Sequence, residues 1–222
     1  MELTQNQLEI RVNLKSRRFN YTIYKVTKRV LDIAVSGLAL LILLPLLATV
    51  ALIIKLTSKG PVIFTQQRAG LEGKTINFIK FRSMVQDADQ LLEELQKQND
   101  HKDSITFKMK RDPRITLIGR IIRKLSIDEL PQLWLVLKGD MTLVGPRPAT
   151  VSEVDKYNLQ AMQRLMVKPG LTCIWQVSGR GDIPFKEQLA MDIYYINNRS
   201  TWMDLKLLVL TVPAVISGKG AY

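Results

Sequence analysis

Polar and charged residues are mixed without an apolar period from Met1 to Asn20, and then the pattern changes: the 22 residues from Ile33 to Ile54 carry no charge. As a straight helix this run would be about 33 Å long, enough to match a hydrocarbon core of about 30 Å. Pro45, near its middle, removes a helical hydrogen bond and bends the axis at a cost of about 3 kcal/mol. Basic residues stand on both sides, Lys25, Lys28 and Arg29 before the run and Lys55 and Lys59 after it. Charge asymmetry therefore does not send the two ends to opposite faces of a membrane. Two arrangements fit: a kinked spanning helix, and a helix that enters one leaflet, breaks at Pro45 and returns, with protein groups satisfying the freed amides. A cleaved signal peptide does not fit, because the run is too long and follows some thirty residues of polar chain.

Beyond Gly60-Pro61 the period shortens. Val62-Ile-Phe-Thr-Gln-Gln67 and Thr75-Ile-Asn-Phe-Ile-Lys-Phe81 are β-prone runs separated by Gly70-Leu-Glu-Gly73, which predicts a hairpin. Lys80 and Arg82 alternate with Ile79 and Phe81, which sets cations along one strand face, toward solvent or a ligand. A helical period takes over at Asp87 to Lys97, with Leu91, Leu92 and Leu95 among acids, and the polar run Gln96 to Ser104 reads as a connector. Leu117, Ile118, Ile121, Ile122 and Leu125 make an apolar helical stripe with Arg120 and Arg123 opposite. Met141 to Pro148 reads as loop, Val151 to Met166 as a helix stopped at Lys168-Pro-Gly170, and Gly179-Arg-Gly181 as a tight turn. Helices follow from Asp182 and Pro184 to Asn198 and from Thr201 to Ser217. The last is too short to span a membrane, and Trp202 with Lys206 and Lys219 suits an interfacial helix as well as a plain core helix. No internal repeat is found, and no Gly-rich phosphate loop of the ATPase or dinucleotide kind.

Composition narrows the chemistry. With 222 residues, 46% of them hydrophobic, the chain can bury a core as one domain with an appendage. A net charge of +12 calls for anionic partners, which nucleic acid, an anionic membrane or a phosphate-bearing substrate would each supply. One cysteine, Cys173, and one histidine, His101, leave no disulfide and no thiolate or imidazole metal cage. A metal here has to be a hard ion held by carboxylates and phosphates.

The densest candidate chemistry lies between Arg123 and Pro148, where the adjacent acids Asp128 and Glu129 are surrounded by cations. Pro146 and Pro148 stiffen the chain around Arg147, so its guanidinium fork is held ready for phosphate oxygens. The plainer reading of Ser126-Ile-Asp-Glu129 is a capping box, in which Ser126 caps a helix and Glu129 reaches back to its amide. A capping box makes no use of Asp128.

Lys80-Phe-Arg-Ser-Met84, Asp128-Glu129, Lys138-Gly-Asp-Met141, Gly145-Pro-Arg-Pro148, Lys168-Pro-Gly-Leu-Thr172 and Trp175-Gln-Val-Ser-Gly-Arg180 follow one another behind the hydrophobic segment. In these elements and their order the chain resembles the bacterial phosphoglycosyl transferases of the monotopic kind, from about Lys28 to the C-terminus. The resemblance implies an α+β, mainly helical fold with an N-terminal re-entrant helix broken at its Pro, a small β-hairpin and amphipathic interfacial helices. It divides the chain into a polar, basic leader (1–27), a membrane-inserted helix (28–59) and a cytoplasmic catalytic domain (60–222). Both flanks of the apolar segment are then expected on the cytoplasmic face of the cell membrane, against anionic lipids.

The implied reaction transfers a sugar 1-phosphate, preferably a hexose 1-phosphate, from a UDP-sugar to polyprenyl (undecaprenyl) phosphate, an initial membrane step of exopolysaccharide or capsule assembly. Asp128 and Glu129 carry over as catalytic, Glu129 also as the ligand of a Mg2+. Lys80, Arg82, Arg114, Arg123, Asp140, Pro146, Arg147, Pro148, Gln176 and Arg180 carry over as substrate-binding. A homodimer is compatible with this reading, and nucleic acid is not an expected partner. Leu44 stands where Ser often precedes the breaking Pro, and Leu135 where many relatives have Asn. A membrane-tethered nucleic-acid binder would explain the charge and a structural scaffold the apolar helix, but neither needs Asp128 beside Pro146-Arg147-Pro148.

Overall fold

The computed structural model describes residues 5–95, 109 and 112–220, with the backbone alone at 5–20, 89 and 92–94. The connector expected at 96–104, with His101, lies outside the described residues. Helix α1 (Gln5–Thr57) runs for 53 residues with Pro45 inside it. It starts within the segment that reads as an aperiodic leader, because Gln, Glu, Leu, Lys and Arg are good helix formers and extend the apolar helix backwards.

One stripe of α1 carries the packing. Tyr24, Asp32, Ser36, Val50 and Ile54 are buried, and Leu40, Leu43, Leu47 and Ala51 pack against core clusters at spacings of three and four residues. Val26, Val30, Ile33, Leu41, Leu44, Leu52 and Leu56 are exposed on the remaining surface. The halves before and after Pro45 thus lie against the same globular body and present apolar side chains away from it.

That body starts with the expected hairpin, β1 (Ile63–Ala69) antiparallel to β2 (Thr75–Phe81), followed by α2 (Ala88–Leu95) and α3 (Leu117–Lys124). Thr116 caps α3 by accepting from the Gly119 amide at 3.0 Å. Helix α4 (Leu133–Lys138) buries Leu133, Leu135 and Val136 with Ile76 and Phe78 of β2 in the main core. Leu135 is therefore a core residue, and its carbonyl accepts from the amides of Gly139, Asp140 and Met141 as α4 closes.

The segment 141–148 is not all loop. Thr142–Val144 forms β3, parallel to β4 (Gly170–Thr172), and neither three-residue strand has the length for a period to show. Gly170 lets them meet: a Cβ there would stand 2.1 Å from the Gly145 nitrogen. The single helix expected over 151–166 is divided into α5 (Val151–Val154), α6 (Leu159–Met162) and a 3₁₀ turn, Gln163–Met166. Thr150 and Glu153 form a capping box at α5, and Asn158 starts α6 afresh by capping the Ala161 amide. Helix α7 (Ile174–Ser178) leads to α8 (Phe185–Asn198) and α9 (Thr201–Ser217), close to the expected limits. On α9, Asp204 and Leu207 are buried while Trp202, Val209 and Ile216 are exposed. The whole is α+β and mainly helical.

Candidate active site

Asp128 and Glu129 lie in a 3₁₀ turn, Ile127–Gln132, packed beside β2. Ser126 enters it in the left-handed region (φ 54°, ψ 21°), and its side chain caps nothing. The capping-box reading fails on that backbone, since an N-cap is extended. Glu129 turns instead to Arg147, whose Nη2 donates to Oε1 at 2.7 Å. In the tight turn both acids reach one cavity of about 510 Å³.

Arg68, Lys80, Arg123, Arg147 and Arg180 line that cavity with the two acids, joined by Pro148, Thr172, Trp175 and Gln176. Leu208, Thr211, Ala214 and Val215 of α9 supply a largely apolar wall. Other charged lining residues are paired structurally. Arg114 holds Asp112 through Nε and Nη2 at 2.7–3.1 Å and donates to the Ala88 carbonyl, and Arg164 pairs with Asp192 at 2.9 Å.

The two acids are driven apart. Among the described residues the Asp128 carboxylate accepts no hydrogen bond, and burial, then the Glu129 charge, push it up to about 6 against the pull of Lys80, Arg123 and Arg147. Burial also acts to raise Glu129, but the charge and hydrogen bond of Arg147 outweigh it and hold this carboxyl low. Lys80 is brought down to about 8 by burial and by Arg123, with Asp128 opposing. Burial, then the charge of Arg147, lowers Arg68 to about 10. Arg180, a non-glycine residue at φ 53°, is also lowered by burial, with Glu129 opposing.

Arg147 is fixed through the backbone around it. The carbonyls of Pro146, Arg147 and Pro148 accept from the Gly170 amide (2.8 Å), Arg164 Nη2 (3.0 Å) and Arg68 Nη1 (2.6 Å) respectively. Prolines cannot donate, so the turn is held by its acceptors, from three separate elements.

Of the expected site residues, Asp128, Glu129, Lys80, Arg123, Arg147, Pro148, Gln176 and Arg180 meet at the cavity, and Arg114 reaches it with its guanidinium already engaged. Three are placed elsewhere. Arg82 follows the last residue of β2, where the pleat ends, and donates to the carbonyl and hydroxyl of Ser58. Asp140 pairs with Lys138 at 2.9 Å, and Pro146 is fully buried under the turn. Arg68 was not expected. The hairpin register places Phe64, Gln66 and Arg68 opposite Lys80, Phe78 and Ile76, so Arg68 shares the Lys80 face. Its guanidinium lies 4.6 Å from the Phe78 ring centre, and knowledge of the register would have found it.

Among the described residues no group of three or more His, Cys, Asp or Glu side chains could enclose a metal. Glu129, as one carboxylate on the cavity, would leave most ligands of a hard ion such as Mg2+ to phosphate oxygens and water.

Residues 23–218 match a protein family described as bacterial sugar transferase. The chain is 45% identical over 217 residues to the galactosyl transferase CpsE of Streptococcus agalactiae, covering 96% of this chain and 46% of that protein. It is 42% identical over 222 residues to an undecaprenyl-phosphate galactose phosphotransferase of Salmonella typhimurium, covering 97% and 44%. It is 38% identical over 200 residues to the exopolysaccharide production protein ExoY of Sinorhizobium fredii, covering 89% and 88%. The chain thus spans somewhat under half the length of the first two relatives and most of the third.

Proposed function

The chain belongs to the bacterial sugar transferase family, and from that membership we propose that it transfers a sugar 1-phosphate from a UDP-sugar to a polyprenyl phosphate, releasing UMP. The observation that carries this reading is the division of labour in the dyad: one buried carboxylate, Asp128, accepts no hydrogen bond among the described residues, and its neighbour is locked to an arginine.

An oxygen of Asp128 attacks the phosphorus that bears the sugar. The bond from that phosphorus to the bridging oxygen breaks, UMP leaves with the electron pair, and an aspartyl phosphosugar ester remains. A polyprenyl phosphate oxygen then attacks the same phosphorus, forming the lipid diphosphosugar and returning the carboxylate. Lys80, Arg123, Arg147 and Arg180 lower the cost of bringing an anion to a diphosphate. A Mg2+ held by Glu129 and the diphosphate would neutralise further charge. The names of the galactosyl and galactose relatives support galactose 1-phosphate as the first group to test, with glucose 1-phosphate beside it.

The same reading places the chain on the cytoplasmic face of the cell membrane, with α1 re-entering on the side it left. Its support is physical: side chains on both flanks of the apolar run are docked on one globular body, so a span would carry that body into the hydrocarbon. Exposed lysines at 25, 55 and 59 suit anionic headgroups.

The test is a panel of UDP-sugars assayed for UMP with and without polyprenyl phosphate. One sugar should give lipid-dependent UMP and a protein mass increase of one phosphosugar. Asp128→Asn should abolish both, and an active Asp128→Asn enzyme would rule out the covalent route.

A further inference from the structure

Asp32 stands at the edge of the apolar run, yet it is 4% exposed and points into the protein. Its carboxylate accepts from the Leu143 amide at 2.9 Å and from Thr142 Oγ1 at 2.7 Å. The Thr142 amide bonds to Pro169 on the β4 side. Strand alternation turns the Leu143 amide to the other side, where Asp32 occupies the place a third strand's carbonyl would take. One helical turn earlier, Lys28 Nζ donates to the Val144 carbonyl at 2.9 Å and to Asp204 at 2.8 Å. Tyr195 also donates to Val144, at 2.9 Å.

The membrane helix therefore grips β3 on the side away from β4, and the chain leaving β3 reaches Arg147 three residues after Val144. On the far side of Arg147 the contact to Glu129 is a 2.7 Å hydrogen bond, which a displacement of a few tenths of an ångström weakens. A tether alone has no use for a buried carboxylate, which is costly to desolvate. We propose that Asp32 is a positioning residue: by fixing β3 it sets Arg147 against Glu129, so that α1 shapes the donor site as well as holding the enzyme at the lipid. The proposal rests on the role given to Arg147 under the proposed function.

The experiment uses the full chain in nanodiscs and follows the covalent phosphosugar adduct from the UDP-sugar that the wild-type chain accepts, without lipid acceptor. Asp32→Ala should slow adduct formation about tenfold, as loss of a supporting shell typically does. Thr142→Val should slow it a few-fold, and Asp32→Asn, which keeps an acceptor for Leu143, should largely restore it. In an Arg147→Ala background none of the three should have further effect.

Equal factors in both backgrounds would overturn the proposal in favour of a general structural role. Unchanged adduct formation with loss confined to lipid transfer would overturn it in favour of membrane placement. Should Asp32→Ala fail to fold, Thr142→Val decides by the same criteria. Phenylglyoxal labelling read by mass spectrometry gives an answer independent of turnover: Asp32→Ala or Thr142→Val should raise labelling of Arg147 and leave buried Arg82 unchanged. Parallel rises at both arginines would count against the proposal. A wild-type chain that forms no adduct from any UDP-sugar sinks the proposed reaction, and the labelling still judges Asp32.

Discussion

Burial and the Glu129 charge lift Asp128 to about 6, while burial and Arg123 bring Lys80 down to about 8. A nucleophilic Asp128 has to be ionised, which requires a pH above the first value. A screening Lys80 has to be protonated, which requires a pH below the second. The expected kcat/KM for UMP release is therefore a bell with limbs near those values, and Lys80→Arg should keep the acid limb while removing the alkaline one. A flat profile from pH 5 to 9 would contradict these assignments. The same residues show what a sequence conveys at this scale. Asp128 is a surplus acid in the chain, unexplained by a cap, and the fold brings it to the cavity beside Glu129. Ser126 and Glu129 misled, because Ser-x-x-Glu is the pattern of a cap and only a backbone dihedral, set by packing on β2, tells it from a left-handed entry. Arg82 leaves the Lys80 face for a related reason: alternation is a property of the strand, and the strand ends one residue earlier.

Among elements, the long ones were legible and the short ones were not. The hairpin, α8 and α9 announce themselves by period and by punctuation, whereas β3 and β4 exist because Gly145 and Gly170 let two backbones touch. That contact yields a prediction. Gly170→Ala inserts a methyl where only backbone fits, so it should destabilise the protein by about 3 kcal/mol, read as a drop in thermal midpoint in detergent, with activity lost alongside because the Gly170 amide also holds Pro146. An unchanged midpoint would mean that the strands can part without harm. For α1, composition supplied the apolar run and its Pro, but the stripe that docks on the domain depends on residues far along the chain. If the docked flanks share one side of the membrane, single cysteines at exposed Lys25, beside Tyr24, and at exposed Lys59 should both react with an impermeant maleimide only in inside-out vesicles. Labelling from opposite sides would restore a spanning helix.

For the whole molecule, whose net charge is +12, cations stand where anions would gather: Arg68, Lys80, Arg123, Arg147 and Arg180 at the dyad, and Lys25, Lys55 and Lys59 along the flanks of α1. Charge was readable from the sequence as a demand for anions, but its focus on one cavity required the fold. The exposed apolar faces of α1 and α9 add a contribution that salt does not screen, so 1 M salt should leave the chain in the membrane fraction while detergent releases it. Release by salt alone would reduce α1 to a peripheral contact. The clamp between α1 and the domain also sets a timetable for biogenesis. Lys28 finds its partners at Val144 and Asp204, 116 and 176 residues later in translation. At about 5–20 residues per second, the ribosome delivers Asp204 roughly 9–35 s after Lys28. Until the chain reaches Thr142, 110 residues after Asp32, the nascent helix carries a lysine and an aspartate with none of their folded partners made. The cell has to keep it sheltered, in an insertase or at the lipid surface, until the rest of the chain arrives.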